Sequence, residues 1–204
     1  MGRCSGRLRY VFEGRQGLSH ARNTGVQAAR GTVIAFTDDD VEPQVDWLVA
    51  LHDAFRAFGA DCVYGKVLPR WQVPPPAWLG TYFLNRLAML DRGEEPFVAA
   101  STRQQFVGAN FAVRRERLVA LGGFDVRLGN RGDGLGGEED TELFERLLAA
   151  GARLVYTPEA VVHHKVPAER MRTAYFRKWH FEHGAAAAHL TPCALGKGLF
   201  GIPC

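Results

Sequence analysis

The chain has 204 residues, of which 47% are hydrophobic and 23% charged, a mix that suits one folded domain and argues against intrinsic disorder. The 23 glycines and 10 prolines follow no G-x-y period, which excludes a collagen-like rod, and a net charge of +3 is too small to point to nucleic acid. Cys4, Cys62, Cys193 and Cys204 form no C-x-x-C pair, which argues against a zinc ribbon or a dense disulfide scaffold and favours a reducing, cytoplasmic setting.

In chain order, Leu8–Phe12 reads as a short strand, and Ser19 as the cap of a helix running to Arg30 and stopped by Gly31. Thr32–Thr37 is a β-branched, nearly unbroken apolar run, the pattern of a strand covered on both faces. A helix is expected over Gln44–Phe58, with Leu48, Leu51, Phe55 and Phe58 at helical spacing, followed by a strand over Ala60–Leu68. This alternation predicts an α/β fold with a largely parallel sheet. After the loop at Val73-Pro74-Pro75-Pro76, a short helix is expected over residues 80–91, and a strand over Gln105–Val113 broken by Gly108-Ala109-Asn110. Gly129–Gly137 holds five glycines and reads as a turned or mobile lid. Glu139–Ala150 is an amphipathic helix, Arg153–Tyr156 and Ala160–His164 are short strands, and a helix over Pro167–Ala188 closes the chain. No internal repeat or second domain is visible: residues 1–204 read as a single domain with 167–204 as a C-terminal helical extension. No signal-peptide core opens the chain, and no uncharged apolar run reaches the roughly 18 residues that span a bilayer.

Three features carry chemistry. Asp38, Asp39 and Asp40 follow a strand end, where ligands bind in open α/β sheets. Alternate residues of an extended segment point the same way, so Asp38 and Asp40 can face one ligand, and their hard oxygens suit Mg²⁺ or Mn²⁺. The same residues serve equally as an acidic turn ahead of a helix. Glu138, Glu139 and Asp140 occupy the first turn of a helix after the glycine loop, where a carboxylate can take a proton from a hydroxyl or simply complement the helix dipole. His163 and His164 sit on a strand and point to opposite faces, so at most one of them faces a site.

These pieces, in this order, resemble glycosyltransferase family 2, whose fold is GT-A. The resemblance runs through Gly17-Leu18-Ser19-His20-Ala21-Arg22-Asn23-Thr24-Gly25, similar to the family's G-x-x-x-A-R-N-x-G, and Thr37-Asp38-Asp39-Asp40, similar to its D-x-D. It continues through Gly108-Ala109-Asn110, Gly122-Gly123-Phe124-Asp125 and Glu139-Asp140, and ends near His164. It implies an inverting transfer of sugar from a UDP- or GDP-sugar to an acceptor hydroxyl, with Mn²⁺ or Mg²⁺ bridging the diphosphate. It further implies metal ligation by Asp40, Asp38 and His164, a donor pocket lined by Arg22, Asn23, Asp38 and Asp39, and Asp140 as general base with Glu139 beside it. The acceptor is expected to be a saccharide, free or lipid-linked.

The family's usual opening strand, of the type V-S-V-I-I-P-T-Y-N, and the strand after it have no match here, so the chain is expected to begin at the family's third strand, as an N-terminally truncated domain. An incompetent fragment that only binds metal, sugar or a partner chain, and a related metal-dependent nucleotidyltransferase, are the other classes considered. Glu139-Asp140 with His164 downstream favours sugar transfer. The last helix mixes Arg170, Arg172, Arg177 and Lys178 with Tyr175, Phe176 and Trp179, which suits a peripheral membrane contact, a sugar-stacking site or a solvated face, and the apolar residues 198–204 follow it.

Overall fold

The computed structural model describes residues 8–130, 132, 134–135 and 137–190. The expectations for Cys4, Cys193, Cys204, the apolar tail and three residues of the glycine loop lie outside the described residues.

Helix α1 (Leu18–Ala28) starts directly after Gly17, whose φ of 136° only glycine adopts freely. Ser19 therefore lies inside the first turn, not at the cap, and its buried hydroxyl donates to the Leu128 carbonyl at 2.8 Å. Strand β1 (Val33–Phe36) leads into the aspartates, and the short β2 (Val41–Pro43) precedes α2 (Trp47–Phe58). Helix α2 buries Trp47, Leu51, Ala54 and Phe55 and leaves Leu48 exposed. Its orientation is set by Trp47, whose indole N–H donates to Asn110 Oδ1 at 2.8 Å, and Gly59 ends it in the left-handed region (φ 59°).

Strand β3 (Cys62–Trp71) is followed by a 3₁₀ segment at Thr81–Leu87, the two-residue β4 (Phe97–Val98), β5 (Phe111–Arg114) and α3 (Arg115–Ala120). Helix α4 (Glu139–Ala149), strand β6 (Leu154–Val166), a 3₁₀ turn at Ala168–Met171 and α5 (Thr173–Leu190) complete the described chain.

The strands form one sheet in the order β1-β5-β3-β6-β2, with β4 also pairing β6. The α/β reading holds, but the expectation of a mostly parallel sheet is corrected to a mixed one: only β3 and β6 run parallel. The chain reaches β6 from β5 through α3 and α4, the long crossover that a parallel pair needs, whereas the other pairs are antiparallel. Strand–helix alternation reports that crossovers exist, not which strands they join.

Two further expectations are corrected. Leu8–Phe12 joins no strand among the described residues, and Leu8, Tyr10 and Phe12 are exposed. Strand β1 lies at the sheet edge and is only half-buried, so the strand covered on both faces is β3, buried from Cys62 to Val67. Side-chain alternation divides its contacts between two layers. Cys62 and Tyr64 face a core shared with Phe111, Phe124, Phe144 and Leu147, and Val63 and Val67 face the α2 core with Leu51 and Phe55.

The two short strands expected at Arg153–Tyr156 and Ala160–His164 are one strand with an irregularity. Against β3 the register passes from Gly65–Thr157 to Val67–Val162, so the intervening residues of β6 bulge over Gly65. A Cβ on Gly65 would lie 2.0 Å from the Ala160 carbonyl oxygen, which only glycine avoids. Asn110, fully buried, ties the bulge down by donating to Ala160 O at 2.7 Å and Lys66 O at 2.8 Å.

Candidate active site

The acidic run turns tightly after β1, and β2 then pairs antiparallel with β6 so that Val41 opposes His164. This register brings Asp40 beside His164, a residue 124 positions away in the chain. Asp40 Oδ2 lies 3.1 Å from His164 Nε2, and the Lys165 N–H donates to the Asp40 carbonyl at 2.9 Å. His164 is buried and its imidazole faces the cavity's acidic wall, whereas His163 stands at the Glu42 register position, as strand alternation requires.

Arg170 completes this corner. It donates to Asp40 Oδ2 at 3.2 Å and lies 3.0 Å from His164 Nε2. One ring nitrogen cannot donate to Asp40 and accept from Arg170 at once, and His164 Nδ1 is buried without a partner. His164 foremost, with Arg170, holds the Asp40 carboxyl below the usual range against the opposing effect of burial.

The second acidic cluster enters through strained backbone. Gly137 (φ 47°) and Glu138 (φ 70°) are both left-handed, and a Cβ at Gly137 would meet His183 at 2.7 Å. That turn delivers Glu139 and Asp140 to the start of α4. Asp140 Oδ2 accepts from the Gly108 N–H and Oδ1 from the Thr141 N–H, both at 2.8 Å, which fixes the carboxylate while leaving it on the cavity wall. Glu139 is 4% exposed, and its Oε2 has no partner. Burial foremost, then the charge of Asp140, pushes the Glu139 carboxyl up to about 7, with Arg22 pulling the other way.

Arg22 joins the two clusters. Its buried guanidinium donates to Glu139 Oε1 at 2.8 Å, and to Asp38 Oδ1 and the Gly108 carbonyl, each at 3.3 Å. Carboxylates about a hundred residues apart in sequence thus meet across one side chain. They line a cavity of about 720 Å³ together with Asp39, Asp40, Asp140, His164 and Arg170. Asn23 stands apart from this group. Its amide clamps Phe124 by donating to the carbonyl and accepting from the N–H, both at 2.8 Å, and it does not line the cavity. A side chain on Gly123 (φ 79°) would collide with that clamp.

The sequence does not single out Arg170 or the Gly108 backbone for the site. Arg170 falls among the basic and aromatic residues of the last helix, and its spacing of six from His164 across a prolyl turn carries no periodic signal.

Among the described residues no three His, Cys, Asp or Glu side chains converge into a protein-only metal cage. Asp40 and His164 nevertheless present an oxygen and a nitrogen side by side, with the Arg170 cation against both. Two protein donors completed by substrate phosphate oxygens is a common arrangement for Mg²⁺, so the residues fit a divalent ion brought in with a diphosphate.

Residues 4–121 match the family model described as Glycosyl transferase family 2. The succinoglycan biosynthesis protein ExoM of Rhizobium meliloti is 31% identical over 183 residues, covering 89% of this chain and 55% of that protein. A glucosyl-dolichyl phosphate glucuronosyltransferase of Haloferax volcanii is 28% identical over 153 residues, covering 74% and 48%. The chain thus spans about half the length of these relatives. Among solved structures, the mannosyltransferase PcManGT from Pyrobaculum calidifontis, in complex with GDP-Man and Mn²⁺, superposes with a TM-score of 0.54 at 24% identity, covering 86% of this chain and 44% of that one. GalNAc-T7 with UDP, GalNAc and Mn²⁺ gives 0.51 at 24% identity, covering 74% and 31%. At that identity these two structures establish the GT-A fold alone. With the family match over more than half its length, the chain belongs to glycosyltransferase family 2.

Proposed function

We propose that the protein transfers a sugar from a nucleoside diphosphate donor, UDP- or GDP-linked, to an acceptor hydroxyl with inversion at the anomeric carbon. The observation that carries this reading is the Arg22 bridge: Asp38 and Glu139 meet on one guanidinium, so the Asp38–Asp40 corner and the Glu139–Asp140 corner face a single cavity.

Asp140, anchored on the Gly108 and Thr141 amides, is oriented to take the proton of an acceptor hydroxyl. The hydroxyl oxygen bonds to the anomeric carbon as the bond to the diphosphate breaks, and the leaving electron pair stays on the phosphate oxygen. Asp40 and His164 would hold Mn²⁺ or Mg²⁺, which when bound offsets the charge of the departing diphosphate, and Asp38, paired to Arg22, lines the same cavity. Arg170 would move off Asp40 as the ion enters, since both take the same carboxylate oxygen. Glu139 and Arg22 hold the two corners at a fixed separation, and Asp39, exposed at the rim, is left to contact donor.

The Mn²⁺, UDP and GDP-Man in the structures of similar fold support a metal-held nucleotide-sugar, and the relatives that build succinoglycan and glucuronosylate a dolichyl phosphate sugar support a saccharide acceptor, free or lipid-linked. The outward face of α5, with Phe181 79% exposed beside Arg177, has the residues a peripheral membrane contact needs, and liposome co-sedimentation tests it. No described helix is long and apolar enough to cross a membrane.

The test is calorimetry with UDP, GDP and their sugars, with and without Mn²⁺, coupled to an assay for nucleoside diphosphate release. Metal-dependent binding and release support the transferase. Binding without turnover reduces the protein to a binding module, and no binding removes the reading.

A further inference from the structure

The cavity has two walls of opposite sign. Arg22 and Arg170 are paired to the carboxylates of the acidic wall. Arg86, Arg92 and Arg103 line the same cavity from the segments around residues 85–92 and 103–107, and none of them is ion-paired to a carboxylate among the described residues. Among the described residues the Arg86 guanidinium donates only to neighbours in its own turn, Tyr82 and Asn85, and leans over the Tyr82 and Trp179 rings. Arg92 donates to the carbonyls of Arg103 and Gln105 at 2.9 and 3.1 Å. The Nε atoms of Arg86 and Arg92 are shielded from water and have no hydrogen-bond partner.

Guanidinium charges that line a cavity without a carboxylate partner are met by solvent or by an anion bound there, and three of them around one space favour the anion. The wall also lies close to the candidate base. Arg92 grips the Gln105 carbonyl, and Gly108, three residues along, donates to Asp140. Three residues of extended chain reach at most about 10 Å, so an anionic group on this wall and a hydroxyl at Asp140 can belong to one phosphorylated sugar.

We infer that the acceptor is a saccharide bearing a phosphoryl or diphosphoryl group, bound with that group on Arg86, Arg92 and Arg103 and its reacting hydroxyl toward Asp140. Three guanidinium groups exceed what a single carboxylate charge needs and match a phosphoryl dianion, which their planar forks bind through paired N–H donors. The inference deepens the proposed transferase reading and rests on its placing of donor on the acidic wall.

The test titrates glucose 1-phosphate, farnesyl diphosphate-linked glucose, methyl glucuronide and methyl glucoside into the purified protein saturated with Mn²⁺ and UDP or GDP, so that the donor position is filled. Both phosphorylated probes are expected to bind at least tenfold more tightly than the glucoside and the glucuronide. Their affinity should fall with salt and drop about tenfold or more in Arg92→Gln and Arg103→Gln. Arg103 makes no side-chain hydrogen bond among the described residues and is exposed, so its variant keeps the test decisive if Arg92→Gln misfolds. Tighter binding of the farnesyl compound assigns a lipid-linked source, and equal binding a soluble sugar phosphate. Equal affinity for the methyl glucoside or the glucuronide, or unchanged affinity in both variants, overturns the inference while leaving donor binding intact. If neither nucleotide binds but the phosphorylated probes alone still depend on Arg92 and Arg103, the donor reading fails and the anion wall stands.

Discussion

Two buried polar nodes hold this molecule together, and they differ in one respect. On the α2 side, Asn110 joins Trp47, Lys66 and Ala160 through three hydrogen bonds of 2.7–2.8 Å, so both ends of its amide are engaged. On the cavity side, Arg22 joins Asp38, Glu139 and Gly108, but Glu139 Oε2 and His164 Nδ1 are left without partners. A fully satisfied network specifies a fold, whereas a partly satisfied one facing a cavity retains capacity for a ligand. The node that looks worse by structural criteria is the one placed to do chemistry.

The sharpest way to separate the nodes is to remove a cavity carboxylate that no cross-chain side-chain contact uses. Asp140→Asn keeps the shape and can still face the Gly108 amide, yet it cannot take a proton. Turnover should fall by about 10³–10⁴-fold, with affinity for UDP or GDP in Mn²⁺ unchanged within a few fold. Stopped assays of nucleoside diphosphate release alongside calorimetry read both quantities. Full activity would remove Asp140 from the mechanism.

Arg22→Gln should damage both fold and function. It removes the partner of the buried Glu139 Oε1 and cuts the link between the acidic corners, a loss of about 2–3 kcal/mol. Urea unfolding measures the first effect and donor titration the second. Asn110→Ala is the matched control. It orphans the Trp47 indole N–H and two carbonyls, for a loss of about 2–3 kcal/mol, while the folded fraction should bind nucleotide as the wild type does. If Asn110→Ala alters binding per folded molecule more than Arg22→Gln does, the distinction between the nodes is wrong.

The part of the site legible in the sequence is the part carried by short, contiguous motifs. Asp38–Asp40, Glu139-Asp140 and His164 do line one cavity, because acidic triplets and helix starts are local patterns. Asn23, which the resemblance puts at the donor pocket and which could equally stabilise the start of its helix, gives no local sign that its amide is engaged with Phe124, 101 residues away. Arg170, Arg92 and Arg103 depend on long-range register and on loops, which periodicity does not encode. The sheet shows the same limit. Alternation identified β1, β3 and β5 and the helices between them, but strand direction follows from which crossovers close over which face. The bulge over Gly65 made one strand look like two, since Pro158 and Glu159 interrupt the apolar pattern where β6 leaves the ladder.

The smallest effect concerns Glu139 and proton linkage. Its carboxyl is raised from an ordinary 4.5 to about 7 by burial and by Asp140, so between those values the folded state holds a proton that the unfolded chain has released. The stabilisation from that proton is complete below about pH 4.5 and disappears as pH rises through about 7. Glu139→Gln carries no titrating group there. Urea unfolding of both proteins from pH 5 to pH 8 should therefore show the stability difference moving in favour of the variant, by on the order of 1–2 kcal/mol. A flat difference would mean that Arg22, 2.8 Å away, keeps Glu139 ionised throughout. The unpartnered Oε2 would then be a buried charge held for a ligand to neutralise, and a ligand's arrival, not pH, would be what relieves it.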